Sequence, residues 1–247
     1  RYPAAKADFE KGVRDLKWWI TQQADGVVGR RGRKISKVVF ALMGRLGYGA
    51  ILMRMKVPDE QIGKIIRITE DGGIPPDNPK PEGWLPEIWS IGHRNLQGAT
   101  IHPETGQLWT VEHGAKGGDE LNHPQGGKNY GWPVITHGVD YPGEQIDNGL
   151  TAKDGMEQPR YYWDPVIAAS GLAVYSGNLF PAWRGNLLVG ALRGTQVARL
   201  ALSGDKVVNE EPVFYDPKSR VRDVRVGPDG AVYVLTDDGR LLRLTPA

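Results

Sequence analysis

One pattern recurs three times along this chain and restricts its fold more than any other feature. The segments HPETGQLWTVE around Gly106, RGNLLVGAL around Gly185 and GPDGAVYVLTD around Gly230 each close a turn on a glycine and then alternate apolar residues as a strand does. These glycines lie 79 and 45 residues apart, close to two units and one unit of about 40 to 45 residues, the size of a four-stranded propeller blade. A fourth sign is the C-terminal hairpin, Val232–Thr236 and Leu241–Leu244 joined by a DDG turn. The fold class implied is all-β, a β-propeller.

Composition agrees. Thirty-three Gly and 18 Pro in 247 residues favour many short strands over long helices, and 40% apolar residues supply a sizeable core. No cysteine is present, so disulfides and thiolate metal sites are excluded, and no apolar run has membrane-spanning length. The net charge of +2 conceals an asymmetry: 13 Lys and Arg against 6 Asp and Glu in the first sixty residues, 18 against 23 in the rest. The basic residues Arg30, Arg31, Arg33, Lys34 and Lys37 have no interleaved aromatics and match no base-reading motif, so no nucleic-acid partner is expected.

Residues Leu85 to Pro133 carry the chemistry. Two strand-like runs, Ile88–Ile91 and Gln107–Val111, flank Gly92-His93-Arg94-Asn95, a loop with an imidazole, a guanidinium fork and an amide. After the second run comes EHGAKGGDE, residues 112–120, whose glycines let backbone approach a ligand and leave carbonyls free to face a hard cation. A polar glycine-rich surface loop without a ligand is the alternative.

The motifs GHRN-x-QG, HPETG-x-LW, EHG-x-x-GGDELN and GGKNYGWP, in this order, resemble the soluble pyrroloquinoline quinone (PQQ)-dependent aldose dehydrogenases of the glucose/sorbosone type. The resemblance continues through YYWDPVIAASGLAVYSG, NLLVGALRG and SRVRDVRVGPDGAVYVLTDDGRLLRL, and so covers Gln61 to the C-terminus. It implies a six-bladed type of propeller, of which residues 61–247 supply about four recognisable blades.

The resemblance further implies PQQ and calcium as cofactors and an aldose, oxidised at C1 to the lactone, as substrate. PQQ carries three carboxylates, which forked guanidiniums suit. The matching cofactor contacts are Arg94 with Asn95, Arg193, and the pair Arg220 and Arg222, which as alternate strand residues share a face. As isolated residues Arg220 and Arg222 read equally as a solvated edge pair. The backbone carbonyls of Gly114 and Ala115 match the calcium loop, where a cation would polarise the quinone, and Glu120 and Tyr130 match a second, structural calcium. Tyr162 and Trp163 are candidates for an aromatic wall over sugar and quinone, or else simply propeller core. Periplasmic or secreted location and a homodimer follow from the resemblance alone, and the electron acceptor is left open.

Two departures matter. The family's base histidine lies upstream of the strand at Val38-Val39-Phe40, and no histidine precedes His93 here; His113 is expected to shape the calcium loop, not to replace that base. Losing a general base costs a factor of ~10²–10⁴ in rate, so this chain alone is expected to be inactive or nearly so. Residues 1–60 do not match, and a family Pro-Asp-Gly turn is replaced by Leu42-Met43-Gly44. One base lost in the codon of Ala41 accounts for that change, and Met43, Met53 and Met55 are three of the four methionines. A frame disruption over about Ala41 to Asp59, in a fragment lacking its true start, is the expectation; a divergent insert is the alternative. A non-catalytic propeller binding module and a lactonase using carboxylate-bound calcium are the rival functions.

Overall fold

The computed structural model describes residues 60–246, together with the backbone of strand β1, Lys37–Phe40. The remainder of residues 1–59, including the expected frame disruption, lies outside the described residues.

Four antiparallel sheets follow one another, each a meander of consecutive strands. The first holds β1, β2 (Lys64–Ile68) and β3 (Ile88–Ile91). The second holds β4 (Leu96–Ile101), β5 (Leu108–Glu112), β6 (Asp119–Asn122) and β7 (Tyr161–Trp163). The third holds β8 (Ala169–Val174), β9 (Leu187–Ala191), β10 (Gln196–Ser203) and β11 (Lys206–Tyr215). The fourth holds β12 (Val221–Val226), β13 (Val232–Thr236) and β14 (Leu241–Leu244). Successive meanders of three or four strands whose first strands pack side by side, β4 on β8 and β8 on β12, make blades of a propeller. Among the described residues no helix is long and apolar enough to cross a membrane.

The repeat glycines occupy one structural position. Gly106, Gly185 and Gly230 close the turn between first and second strand of their blades at φ 71°, 78° and 80°, the left-handed conformation that glycine adopts without strain. The 79-residue spacing, expected to span two blades, spans one. Blades two and three are consecutive, and the surplus lies in the β6–β7 connection, residues 123–160.

Two cores fill the gaps between blades. Trp109, Val111, Leu121, Trp163, Leu172, Val189 and Leu200 close blade two on blade three, and Tyr175, Leu188, Val197, Val221, Val224, Val232 and Val234 close three on four. Each innermost strand also carries a bulge near its start, between Leu96 and Gly98, Ala169 and Leu172, and Val221 and Asp223. Bulges re-aim side chains at the end of a strand. Here they sit where the candidate ligand residues emerge.

Candidate functional site

In a meander, alternate connections leave the same end of the sheet. The loops β3–β4, β5–β6, β7–β8, β9–β10, β11–β12 and β13–β14 therefore share one end of the molecule, and hydrogen bonds tie them into a rim. His113 N–H donates to Asn95 O (2.9 Å), Gly118 N–H to Trp163 O (2.9 Å), Arg193 and Gly194 N–H to Ile167 O (2.9 Å each), Asp216 N–H to Thr195 O (3.1 Å) and Asp237 N–H to Arg220 O (2.9 Å). Every cofactor and calcium-loop residue expected from sequence, from Arg94 to Arg222, lies on or beside this rim.

The rim encloses two adjoining clefts. One, of about 240 Å³, is lined by His113, Gly114, Ala115, Lys116, Asp119, Tyr141, Val166, Ala168 and Arg193. The other, of about 430 Å³, shares Lys116, Val166 and Arg193 with it and adds Thr136, His137, Gln145, Thr151 and Asp164. Gly114 and Ala115 thus meet Arg193, which comes from the neighbouring blade. Arg193 is exposed, and its guanidinium has no ion pair or hydrogen bond among the described residues.

Arg94 stands behind the loop. Its Nη1 donates to His113 O (3.0 Å), its guanidinium lies 5.1 Å over the Trp132 ring, and its buried Nε has no partner among the described residues. Asn95 Oδ1 accepts from Gln97, and its Nδ2 lies 3.4 Å from His113 Nδ1. His113 Nε2 lies 2.7 Å from Ala169 O. A carbonyl only accepts, so the proton is on Nε2 and Nδ1 is left as acceptor for the amide. Both imidazole nitrogens are occupied, so His113 shapes the loop.

Glu112 anchors the GHRN segment. Its carboxylate, only 3% exposed, accepts from Arg94 N–H (2.6 Å), His93 Nδ1 (3.1 Å) and Asn122 Nδ2 (2.9 Å). Burial by itself raises such a carboxyl, but the His93 ring and these donors outweigh it and hold Glu112 below its ordinary range. Glu120 receives the opposite treatment: burial and then the Glu112 charge push its carboxyl up to about 8, and Asn122 Nδ2 bridges the two at 3.0 Å from Glu120. Tyr130 OH donates to His123 O (2.8 Å) and accepts from Gln125 N–H (2.9 Å), so protein groups occupy that hydroxyl.

The remaining candidates separate. Arg220 and Arg222 do converge on one carboxylate, that of Asp237, at 3.4 and 2.7 Å. They do not line either cleft. Strand alternation divides the aromatic pair. Trp163 is buried in the core, its indole N–H on Glu210 (3.0 Å), so it is no wall over a ligand. Tyr162 faces outward, 47% exposed, stacked on His137 with ring centroids 4.0 Å apart.

The sequence reading passed over Lys116, Asp119, Tyr141, Val166 and Ala168. Asp119 stands within the GGDELN motif, which marks the loop but does not single out this side chain. Ala168 gave no signal: its φ of 52° is set by the fold, not by a residue type that favours it.

The chain has relatives of known family. The profile of the family described as Glucose / Sorbosone dehydrogenase matches residues 40–243. Aldose sugar dehydrogenase YliI of Escherichia coli (strain K12) is 46% identical over 193 residues, 76% of this chain and 52% of that protein. Quinoprotein glucose dehydrogenase B of Acinetobacter calcoaceticus is 28% identical over 230 residues, 71% of this chain and 48% of that protein. The chain thus spans about half the length of these curated relatives. The crystal structure of the soluble aldose sugar dehydrogenase from Escherichia coli in the apo-form superposes with a TM-score of 0.78 at 42% identity, over 87% of this chain and 62% of that one. The PQQ-bound form of an aldose sugar dehydrogenase from Streptomyces coelicolor superposes with a TM-score of 0.63 at 27% identity, over 85% of this chain and 58% of that one. With its blades in the same arrangement and the family profile running through all four sheets, the chain belongs to the glucose/sorbosone dehydrogenase family.

Proposed function

We propose that this chain carries the cofactor-binding rim of a quinoprotein that oxidises an aldose at C1 to the lactone, with PQQ and calcium as its cofactors. The observation that supports this most is the meeting of the Gly114–Ala115 loop with Arg193, from a different blade, in one cleft of about 240 Å³. The residues present fit the group. Arg193 is an unpaired guanidinium facing the cleft, and Arg94 keeps a buried, unpartnered Nε. At Gly114 a Cβ would lie 2.1 Å from Gly117 O, so the backbone is folded as closely as a loop presenting carbonyls to a cation requires.

In this reading Arg193, Arg94 and Asn95 bind carboxylates of the quinone, and Arg220 and Arg222 add positive charge at the neighbouring blade. The carbonyls of Gly114 and Ala115 hold the calcium, and Glu120 and Tyr130 belong to a second, structural calcium. The bound quinone supplies the hydride acceptor. Tyr162 offers an exposed ring at the cleft margin to the apolar face of a sugar. Residues 61–247 hold every residue named in this reading, and the periplasm is its compartment by family.

The sugar hydroxyl proton needs an acceptor, and the clefts carry His137, Asp119 and Asp164 in their lining. No histidine precedes His93 in the chain, His93 is buried against Glu112, and both nitrogens of His113 are engaged. A second reading is a quinone-binding propeller without turnover. A lactonase is less well supported, since its chemistry makes no use of the unpaired Arg193 guanidinium at the cleft. Titration of the 247-residue chain with PQQ and calcium, read by quinone absorbance and then by dye reduction with an aldose, tests both readings. Binding without turnover supports the rim lacking its base, turnover shows that another group takes the proton, and no binding overturns the cofactor assignment.

A further inference from the structure

Asp119 is 1% exposed, lines the smaller cleft, and has no ion-pair partner among the described residues. Buried carboxylates are ordinarily paired or coordinate metals. What Asp119 has instead is two backbone donors from two blades. Oδ1 accepts from Gly114 N–H at 2.9 Å, and Oδ2 accepts from Ala169 N–H at 3.2 Å. Ala169 is also the residue whose carbonyl takes the His113 Nε2 proton, at 2.7 Å. Three hydrogen bonds therefore close a ring through His113, Gly114, Asp119 and Ala169, across the junction of blades two and three.

We propose that Asp119 and His113 act together as an inter-blade clasp, positioning the Gly114 and Ala115 carbonyls for a cation at a fixed span from Arg193. The proposal rests on the cofactor reading above and names the residues that hold its geometry. The far side of the span is fixed through the same strap. Leu192 N–H donates to Ala168 O (2.9 Å), and Arg193 N–H donates to Ile167 O (2.9 Å). The cation loop and the Arg193 loop are thus both hydrogen-bonded to residues 167–169, one through the clasp and one directly.

The residue types follow from this job. Two N–H donors need two acceptor oxygens on one side chain. Asparagine offers one and would turn an NH₂ group against the other donor; aspartate offers both. At position 113 an imidazole with one donor nitrogen and one acceptor nitrogen serves the Ala169 carbonyl and the Asn95 amide at once. The carboxylate also places acceptor oxygens in the cleft wall beside the loop where a cation is to bind.

The test uses the intact 247-residue chain without quinone, with wild type, Asp119→Asn, His113→Leu and the double variant. Two readouts are taken: calcium affinity by calorimetry, with terbium luminescence as a second probe, and amide hydrogen exchange at Gly114 and Ala169. Partners behind a metal ligand typically carry a factor of about 10–100 in metal affinity, so each single variant should weaken calcium binding about tenfold or more. The double variant should be scarcely worse than either single one, since both break the same ring. Gly114 and Ala169 should lose protection together in each variant, and Asp119→Glu, which keeps two acceptors, should recover part of both signals. Additive losses, or protection retained at both amides, overturn the clasp. A wild-type chain that takes up no calcium while its two amides remain protected overturns the cation role and the calcium reading with it. Exchange that couples the two residues in that case shows that the ring itself exists.

Discussion

Arg222 and Asp237 meet at two points: Nε on Oδ1 at 2.7 Å and Nη2 on Oδ2 at 3.0 Å. Arg220 Nε approaches the same carboxylate at 3.4 Å. Alternate strand positions put both arginines on one face for one ligand, and in this conformation that common ligand is Asp237 of the β13–β14 connection. Asp237 therefore neutralises part of the charge that the two guanidiniums offer to a carboxylate from outside.

Replacing Asp237 with Asn should therefore raise affinity for PQQ at low salt and steepen its salt dependence, while lowering stability slightly. The pair is partly exposed, 48% for the Arg222 side chain and 30% for Asp237, so the stability loss should be in the ~0.2–1 kcal/mol range of surface pairs. The Arg222 hydrogen bonds hold the Asp237 carboxyl below its ordinary value. A depressed carboxyl stabilises the fold above its unfolded pKa, about 3.9, and that stabilisation is lost as pH falls through the lower folded value. Thermal midpoints of wild type and Asp237→Asn should differ at pH 7 and converge as pH drops below about 4. A gap that persists in acid would show that the pair is not its source.

The glycines divide into two physical kinds, and a pair of alanine substitutions separates them. At Gly171, in inner strand β8, a Cβ would lie 2.0 Å from Asp223 Oδ1 and 2.7 Å from both Asp223 Cα and Val224 N, so blade three and blade four must part to admit it. At Gly185 nothing lies within 4 Å, and only the φ of 78° resists a side chain. Gly171→Ala should cost at least the ~1–3 kcal/mol of overpacking, whereas Gly185→Ala should cost about 1–2 kcal/mol, the penalty of the left-handed conformation. Urea midpoints compared at equal m-value decide this, and equal losses would mean that the inner strands yield more readily than their spacing indicates.

Trp163 and Tyr162 should respond differently although they are adjacent. Glu210 Oε1 accepts the Trp163 indole proton at 3.0 Å, and Oε2 accepts the Tyr161 hydroxyl at 2.7 Å, binding blade two to β11. Trp163→Ala should cost ~3–5 kcal/mol as a buried aromatic truncation, while Tyr162→Ala should stay near the ~0.5 kcal/mol of an ordinary surface change. Chemical denaturation measures both. A large loss from Tyr162→Ala would assign that ring to packing and remove it from the sugar-binding candidates.

Much of this was legible in the chain itself. Gly106, Gly185 and Gly230 announced the blade turns because a left-handed turn residue leaves a mark in the sequence, and the alternation after each one gave the strand. The blade count between Gly106 and Gly185 is not legible, since spacing cannot tell a second blade from one long connection. The rim was legible as motifs, but its contacts were not. That Trp163 turns inward and Tyr162 outward depends on the register of β7 on β6, where Asp119 faces Trp163 and Glu120 faces Tyr162. That Asp119 reaches Ala169, fifty residues away, depends on how two blades meet, which no local pattern encodes.

Ser90, His93 and Glu112 form a chain in which Ser90 Oγ lies 2.9 Å from His93 Nε2, and His93 Nδ1 lies 3.1 Å from Glu112. These are the residue types and distances of a hydrolytic triad, but exposure excludes that chemistry: the three are 0%, 1% and 3% accessible. The chain serves to fix the backbone of Arg94, whose N–H donates to Glu112 at 2.6 Å. Its ends should differ in cost. Ser90→Ala removes one neutral hydrogen bond and should cost ~1 kcal/mol, whereas Glu112→Ala strands the His93 and Arg94 donors in the interior, Asn122 keeping Glu120, and should cost ~3–5 kcal/mol. Glu112→Gln keeps the shape but offers one acceptor oxygen to three donors, so its loss should fall between the two. Denaturation curves for the three variants, together with PQQ affinity for Ser90→Ala, check this. A Ser90→Ala chain that folds normally yet binds the quinone severalfold more weakly would tie the buried chain to the placement of Arg94, whereas unchanged binding would confine its role to stability.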